Sequence, residues 1–103
     1  MFVFKHIYEH PEGISKIPDF SEEDYIYLLE VVWYADMHCI SRSVEPTETG
    51  IMYKSVWKTK EDRDKVNGLF EPAQDIMRNR GKATIALGGT YNVETEEIPD
   101  EST

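Results

Sequence analysis

The residues of this chain whose types and spacing could do chemistry are few. They are His6 and His10, His38 beside Cys39, the carboxylate runs Glu22-Glu23-Asp24 and Glu61-Asp62, the basic trio Arg78, Arg80 and Lys82, and the pair Gly88-Gly89. Two histidines four apart would share one face of a helix and could hold one metal, but on a strand they stand ~13 Å apart and cannot. The residues around His6 read as a strand. His38 and Cys39 supply a base and a nucleophile, or two metal ligands, yet on extended backbone adjacent side chains point to opposite faces. Cys39 reads as a buried structural thiol, the histidines as partly exposed side chains, and no metal or other cofactor is expected.

The remaining groups have structural explanations. Glu22, Glu23, Glu61 and Asp62 fall in first helical turns, where the positive end of the helix dipole stabilises carboxylates without acid–base work. Gly88-Gly89 lacks the longer glycine pattern and the Lys-Ser or Lys-Thr of a phosphate loop. Arg78, Arg80 and Lys82 could grip an anion, but they read more simply as cations closing a helix at its negative end, with Gly81 as the terminating glycine.

The elements that must position these residues follow from pattern. Phe2, Val3, Phe4, Ile7 and Tyr8 make residues 2–9 a strand, apolar in part on both faces and therefore central. Ser21 caps a helix over residues 22–37, with Phe20 and Tyr25 spaced as a hydrophobic staple. Ile26, Leu29, Trp33 and Met37 keep helical phase in it, joined by Leu28, Val32 and Ala35, a broad stripe expected to lie buried against a sheet. Residues 39–45 and 51–58 read as a hairpin across the turn Thr47-Glu48-Thr49-Gly50. Thr59 caps a second helix whose apolar phase runs through Val66, Leu69, Phe70, Ala73, Ile76 and Met77, kinked or divided at Pro72. Lys82–Leu87 then reads as a strand, Gly88-Gly89 as a bulge or a hairpin turn, and Thr90–Val93 as a strand. Residues 1–93 form one domain, and 94–103 an acidic, flexible tail.

Composition bounds the function classes. The 103 residues suffice for one core, and a formal charge of −9, from 20 acidic against 11 basic residues, repels phosphate backbones, so direct nucleic-acid binding is not expected. A single cysteine rules out an internal disulfide framework. With no export signal or membrane span visible, a cytoplasmic location is expected.

The order strand, helix, strand, strand, helix, strand predicts an α+β fold with a ferredoxin-like βαββαβ antiparallel sheet and two helices on one face. Together with Tyr53-Lys54-Ser55-Val56-Trp57-Lys58-Thr59-Lys60-Glu61-Asp62, a strand ending in Trp that enters a charged, capped helix, this order resembles the dimeric α+β barrel superfamily. The resemblance transfers no catalytic residue.

Two classes of function stand. The first is a small acidic, non-enzymatic binding or regulatory protein acting through protein contacts, since no catalytic signature is present and aromatics exceed what a one-sided core hides. Its partner is a protein with a basic surface, or a second copy docked through the open sheet face. A sharper form is a virus-encoded inhibitor that mimics nucleic-acid charge, with Glu22, Glu23, Asp24, Glu61, Asp62, Glu96 and Glu97 as partner-binding candidates. The second class is a dimeric α+β barrel enzyme or small-ligand-binding protein, with Tyr34, His38, Tyr53 and Trp57 offering polar atoms on otherwise apolar elements.

Overall fold

The computed structural model describes residues 1–99. In chain order its elements are β1 (Phe2–Glu9), a 3-10 turn (Ile14–Lys16), α1 (Glu22–Asp36), β2 (Ser41–Pro46), β3 (Gly50–Trp57), α2 (Lys60–Leu69), α3 (Glu71–Ala86) and β4 (Thr90–Glu97). The fold is α+β, a four-stranded antiparallel sheet ordered β2-β3-β1-β4 with three helices. β1 is an inner strand, paired with β3 from Phe2 opposite Trp57 to Glu9 opposite Gly50, and with β4 from Phe2 opposite Glu97 to Glu9 opposite Thr90.

Three helices stand in place of two because the second is divided, one of the two outcomes expected at Pro72. Phe70, at φ −130° and ψ 53°, leaves helical geometry between α2 and α3, and Pro72 sits in the first turn of α3. There its missing N–H costs no hydrogen bond and its fixed φ suits the helix, so Pro72 starts a helix instead of kinking one.

The expected end of that helix at Gly81, and the strand expected over Lys82–Leu87, are both corrected. α3 continues unbroken to Ala86 and closes on Gly88, whose φ of 94° lies where glycine is favoured. The Gly88 N–H bonds Ile85 O at 3.0 Å and the Gly89 N–H bonds Thr84 O at 2.9 Å, the paired bonds of a Schellman cap. Gly88-Gly89 is thus neither a bulge nor a hairpin turn. Gly81 serves close packing, since a Cβ there would collide with the Tyr91 ring.

One sheet face carries all three helices. Phe2 and Phe4 of β1 and Trp57 of β3 meet Ala35 of α1 and Val66 of α2, with Tyr34, Cys39 and Phe70 packed around them. Farther along, Tyr8 and Tyr91 stack with centroids 4.8 Å apart beneath α3, where Thr84 is fully buried. The His10 ring ties the end of β1 to the end of α3. Its Nδ1 accepts from the Glu12 N–H at 3.0 Å, so its Nε2 donates to Leu87 O at 2.8 Å.

On the opposite face the alternation places Val3, Lys5 and Ile7 beside Met52, Lys54 and Val56, with Asn92, Glu94 and Glu96 next to them on β4. Glu94–Glu97, assigned to the tail from composition, pair with Phe2–Lys5 as the last half of β4. The Met1 amino group donates to Ile98 O at 2.6 Å, and the Ile98 N–H returns a bond to Met1 O. The last part of the expected tail, 100–103, lies outside the described residues.

Candidate partner-binding surface

α1 begins where its sequence says it should. Ser21 Oγ accepts from the Asp24 N–H at 3.2 Å, and Glu22, Glu23 and Asp24 fill the first turn. No glycine or proline interrupts Glu22–Asp36. The staple does not form: Phe20 turns inward onto Tyr53 and the Arg80 guanidinium, and Tyr25 is half exposed.

The broad apolar stripe expected on this helix is divided by the fold: its Leu28, Val32 and Ala35 part turns away from solvent, and the rest does not. Tyr27, Leu28, Val31, Tyr34 and Ala35 face inward, whereas Ile26, Leu29, Trp33 and Met37 face solvent, Trp33 with 69% of its surface exposed. Burial of that solvent-facing part against the sheet is therefore corrected. A helix apolar on both sides can turn only one side to a single sheet, and a helix apolar all round is normally covered all round. The small Ala35 fits the close approach to Phe2 and Trp57, which the larger side chains on the other side would prevent.

Carboxylates border the exposed stripe, with Glu22, Glu23 and Glu30 exposed beside it. Glu22–Asp36 contains five acidic side chains and no basic one. The nearest cation, Arg42 of β2, is occupied: its Nε lies 2.8 Å from Asp36 Oδ1. Past its C-terminal end the stripe runs into a groove of about 590 Å³ between the end of α1 and α2. Met37, His38 and Tyr34 form one wall and Leu69, Lys65 and Asp62 the other, over Val66. Met37 belongs to both stripe and groove, and Leu69 is exposed beside it.

The four pocket candidates divide. Tyr34 and His38 lie together on the groove, ring centroids 4.6 Å apart. Trp57, 4% exposed, is in the core with its indole N–H on Ser55 Oγ at 2.8 Å. Tyr53 belongs to a separate interior cluster with Tyr8, Phe20 and Arg80. Of the acidic candidates, Glu22 and Glu23 flank the start of the exposed α1 stripe, Asp24 lies half-buried in phase with the inward Leu28, Val31 and Ala35, Glu61 and Asp62 open α2, and Glu96 and Glu97 lie on β4. The basic trio is split: Arg78 pairs outward with Asp75 at 3.1 Å, Lys82 is exposed and Arg80 points inward.

Arg80 is the largest commitment of polar chemistry in the interior. Its guanidinium, on a residue 9% exposed, donates from Nε to Pro18 O at 2.7 Å and from Nη1 to the Tyr53 hydroxyl at 2.6 Å. It also lies 4.4 Å from the Phe20 ring centroid and 4.7 Å from that of Tyr8, so π faces take the place of a counter-ion. The signal for it was present, because Ala73, Met77, Arg80 and Thr84 share one helical face, but an arginine there reads as polar.

Burial also alters the acid–base groups nearby. His6 Nδ1 lies 2.7 Å from the Tyr91 hydroxyl, and desolvation, reinforced by repulsion from Arg63, lowers its pKa to about 4. Burial pushes the Tyr8 and Tyr91 hydroxyls and the Cys39 thiol upward from their ordinary ranges. A thiol shifted in that direction is a poor nucleophile. Among the described residues, no three His, Cys, Asp or Glu side chains are placed to hold a metal ion, and no helix is long and apolar enough to cross a membrane.

Comparison with known proteins returns no matching family model and no significantly similar curated protein.

Proposed function

We propose that this chain is a non-enzymatic binding protein that acts through protein contacts, and that the outer face of α1 is where the contact is made. The observation that carries this reading is the exposed stripe Ile26, Leu29, Trp33 and Met37 on a well-capped helix. Tyr25 and Ile40 are exposed as well, and large exposed apolar surface rimmed by polar residues marks a protein-interaction site. Charge mimicry of nucleic acid is less well supported, because a basic groove selects a charged row, whereas these carboxylates border an apolar one.

The test is a comparative capture from the native cells, using the wild-type chain, a Leu29→Glu/Trp33→Glu variant and a Val93→Glu control. A protein recovered with wild type and control but lost with the α1 variant is the expected result. A chain that stays monomeric in sedimentation and shows no α1-dependent partner would overturn the reading.

A second reading has its own observation. β3 lies between β1 and β2, and the face away from the helices carries Val3, Ile7, Met52 and Val56 among Lys5, Lys54, Glu94 and Glu96. This supports a ferredoxin-like fold with a divided second helix, and a homodimer packed sheet to sheet as in the dimeric α+β barrels. Met52→Lys should abolish such a dimer and leave α1-dependent capture intact.

A further inference from the structure

Resting on the α1 reading above, we infer that the occupant of this face is a basic amphipathic helix, with one large apolar side chain anchored in the groove between α1 and α2. The apolar line from Ile26 through Leu29 and Trp33 to Met37 follows i, i+3, i+7 and i+11, the anchor spacing with which one helix lies along another. The groove then continues the same surface past Met37, an open depression of about 590 Å³ floored by Val66, roomy enough for an aromatic or long aliphatic side chain.

Charge decides which helix. Five carboxylates and no cation lie on α1, and Arg42 is already paired with Asp36. A second copy of α1 on this face would bring its own Glu22, Glu23 and Glu30 toward the same carboxylates of the first, with only Asp36 already neutralised by Arg42, so self-docking here is opposed by like charge. A helix carrying lysine or arginine beside its apolar stripe meets Glu22, Glu23 and Glu30 and gains both apolar contact and charge complementarity. The groove end is less one-sided, with Lys65 beside Asp62, so the basic residues belong along Glu22 to Asp36 and the apolar anchor beyond them.

The probe is a designed helical peptide of leucine and lysine in amphipathic phase. Its controls are the same residues in scrambled order and the same phase with glutamate replacing lysine. Trp33 reports binding directly, because it is exposed while Trp57 is in the core. The amphipathic basic peptide should shift Trp33 emission to the blue, bind at least tenfold more tightly than either control, and weaken as salt is added. Leu29→Glu or Met37→Glu should weaken it at least tenfold, while Val93→Glu on the sheet should not. Folding of each variant is checked by the unchanged emission of Trp57 in a Trp33→Phe background.

Equal binding of the glutamate peptide, or indifference to Leu29→Glu, would overturn the inference. So would failure of the basic peptide while a natural partner is still captured through α1. In that last case the binding face stands and only the class of occupant falls.

Discussion

The Arg80 guanidinium donates to the Tyr53 hydroxyl at 2.6 Å, joining α3 to β3 through a cation that has no carboxylate at ion-pair distance among the described residues. The flat guanidinium satisfies two acceptors while lying against Phe20 and Tyr8, which an ammonium cannot do with the same geometry. Arg80→Lys should therefore destabilise the fold by about 1–3 kcal/mol, and Tyr53→Phe by about 1 kcal/mol. Urea midpoints of the two variants and of the double variant check this. The double variant should lose less than the sum, since both changes remove the same bond.

Stability should fall between pH 6.5 and 4 through His6. The folded chain keeps this imidazole neutral down to about pH 4, whereas the unfolded chain protonates it near its ordinary value of 6.5. The stabilisation is complete above 6.5 and is lost as pH falls through that window, with a slope of up to about 1.4 kcal/mol per pH unit. Comparing urea midpoints at pH 6.5 and 5.0 measures it before most carboxylates titrate. His6→Gln should flatten that difference.

Gly81→Ala should destabilise the protein, although glycine to alanine inside a helix ordinarily gains up to about 1 kcal/mol. The added methyl would occupy space held by the Tyr91 ring, whose own hydroxyl is fixed at His6. A loss of about 1–3 kcal/mol is expected from such overpacking. Gly81→Ala combined with Tyr91→Ala should recover part of it. A gain in thermal midpoint for the single variant would show that the α3–β4 contact is looser than described.

The two tryptophans should behave oppositely. Trp33→Ala should change stability by less than about 0.5 kcal/mol, because the side chain is mostly in water. Trp57→Ala removes the centre of the core that Phe2, Ala35 and Val66 share, and should cost about 3–5 kcal/mol. Acrylamide quenching of the wild-type chain should separate an accessible from a protected indole.

Much of this fold was legible as local chemistry. Ser21 and Thr59 cap their helices through bonds to the Asp24 and Asp62 N–H groups, and β1 spans Phe2–Glu9 as its composition indicates. Errors arose where a residue had two uses. Gly81 has the identity of a helix terminator but is there for Tyr91, and the terminator stands seven residues later at Gly88. Lys82–Leu87 is β-prone in part, yet it belongs to a helix held down by Thr84 and by His10 on Leu87. The binding surface was legible only as an excess of apolar residues. Which part of the apolar stripe on α1 meets the sheet depends on Ala35 against Trp57, a contact between positions 22 apart in sequence that periodicity does not contain.

The place of β1 between β3 and β4 has a kinetic side. Of the four strands it is first from the N-terminus, and its two neighbours are the third and the last. Its full set of ladder bonds closes only when residues 90–97 arrive, across a span of more than 80 positions. The β2–β3 hairpin can close early, but β1 must hold an unpaired apolar edge until the end of the domain is available. During synthesis that edge is open to other chains, and the domain's slowest step should be the arrival of β4.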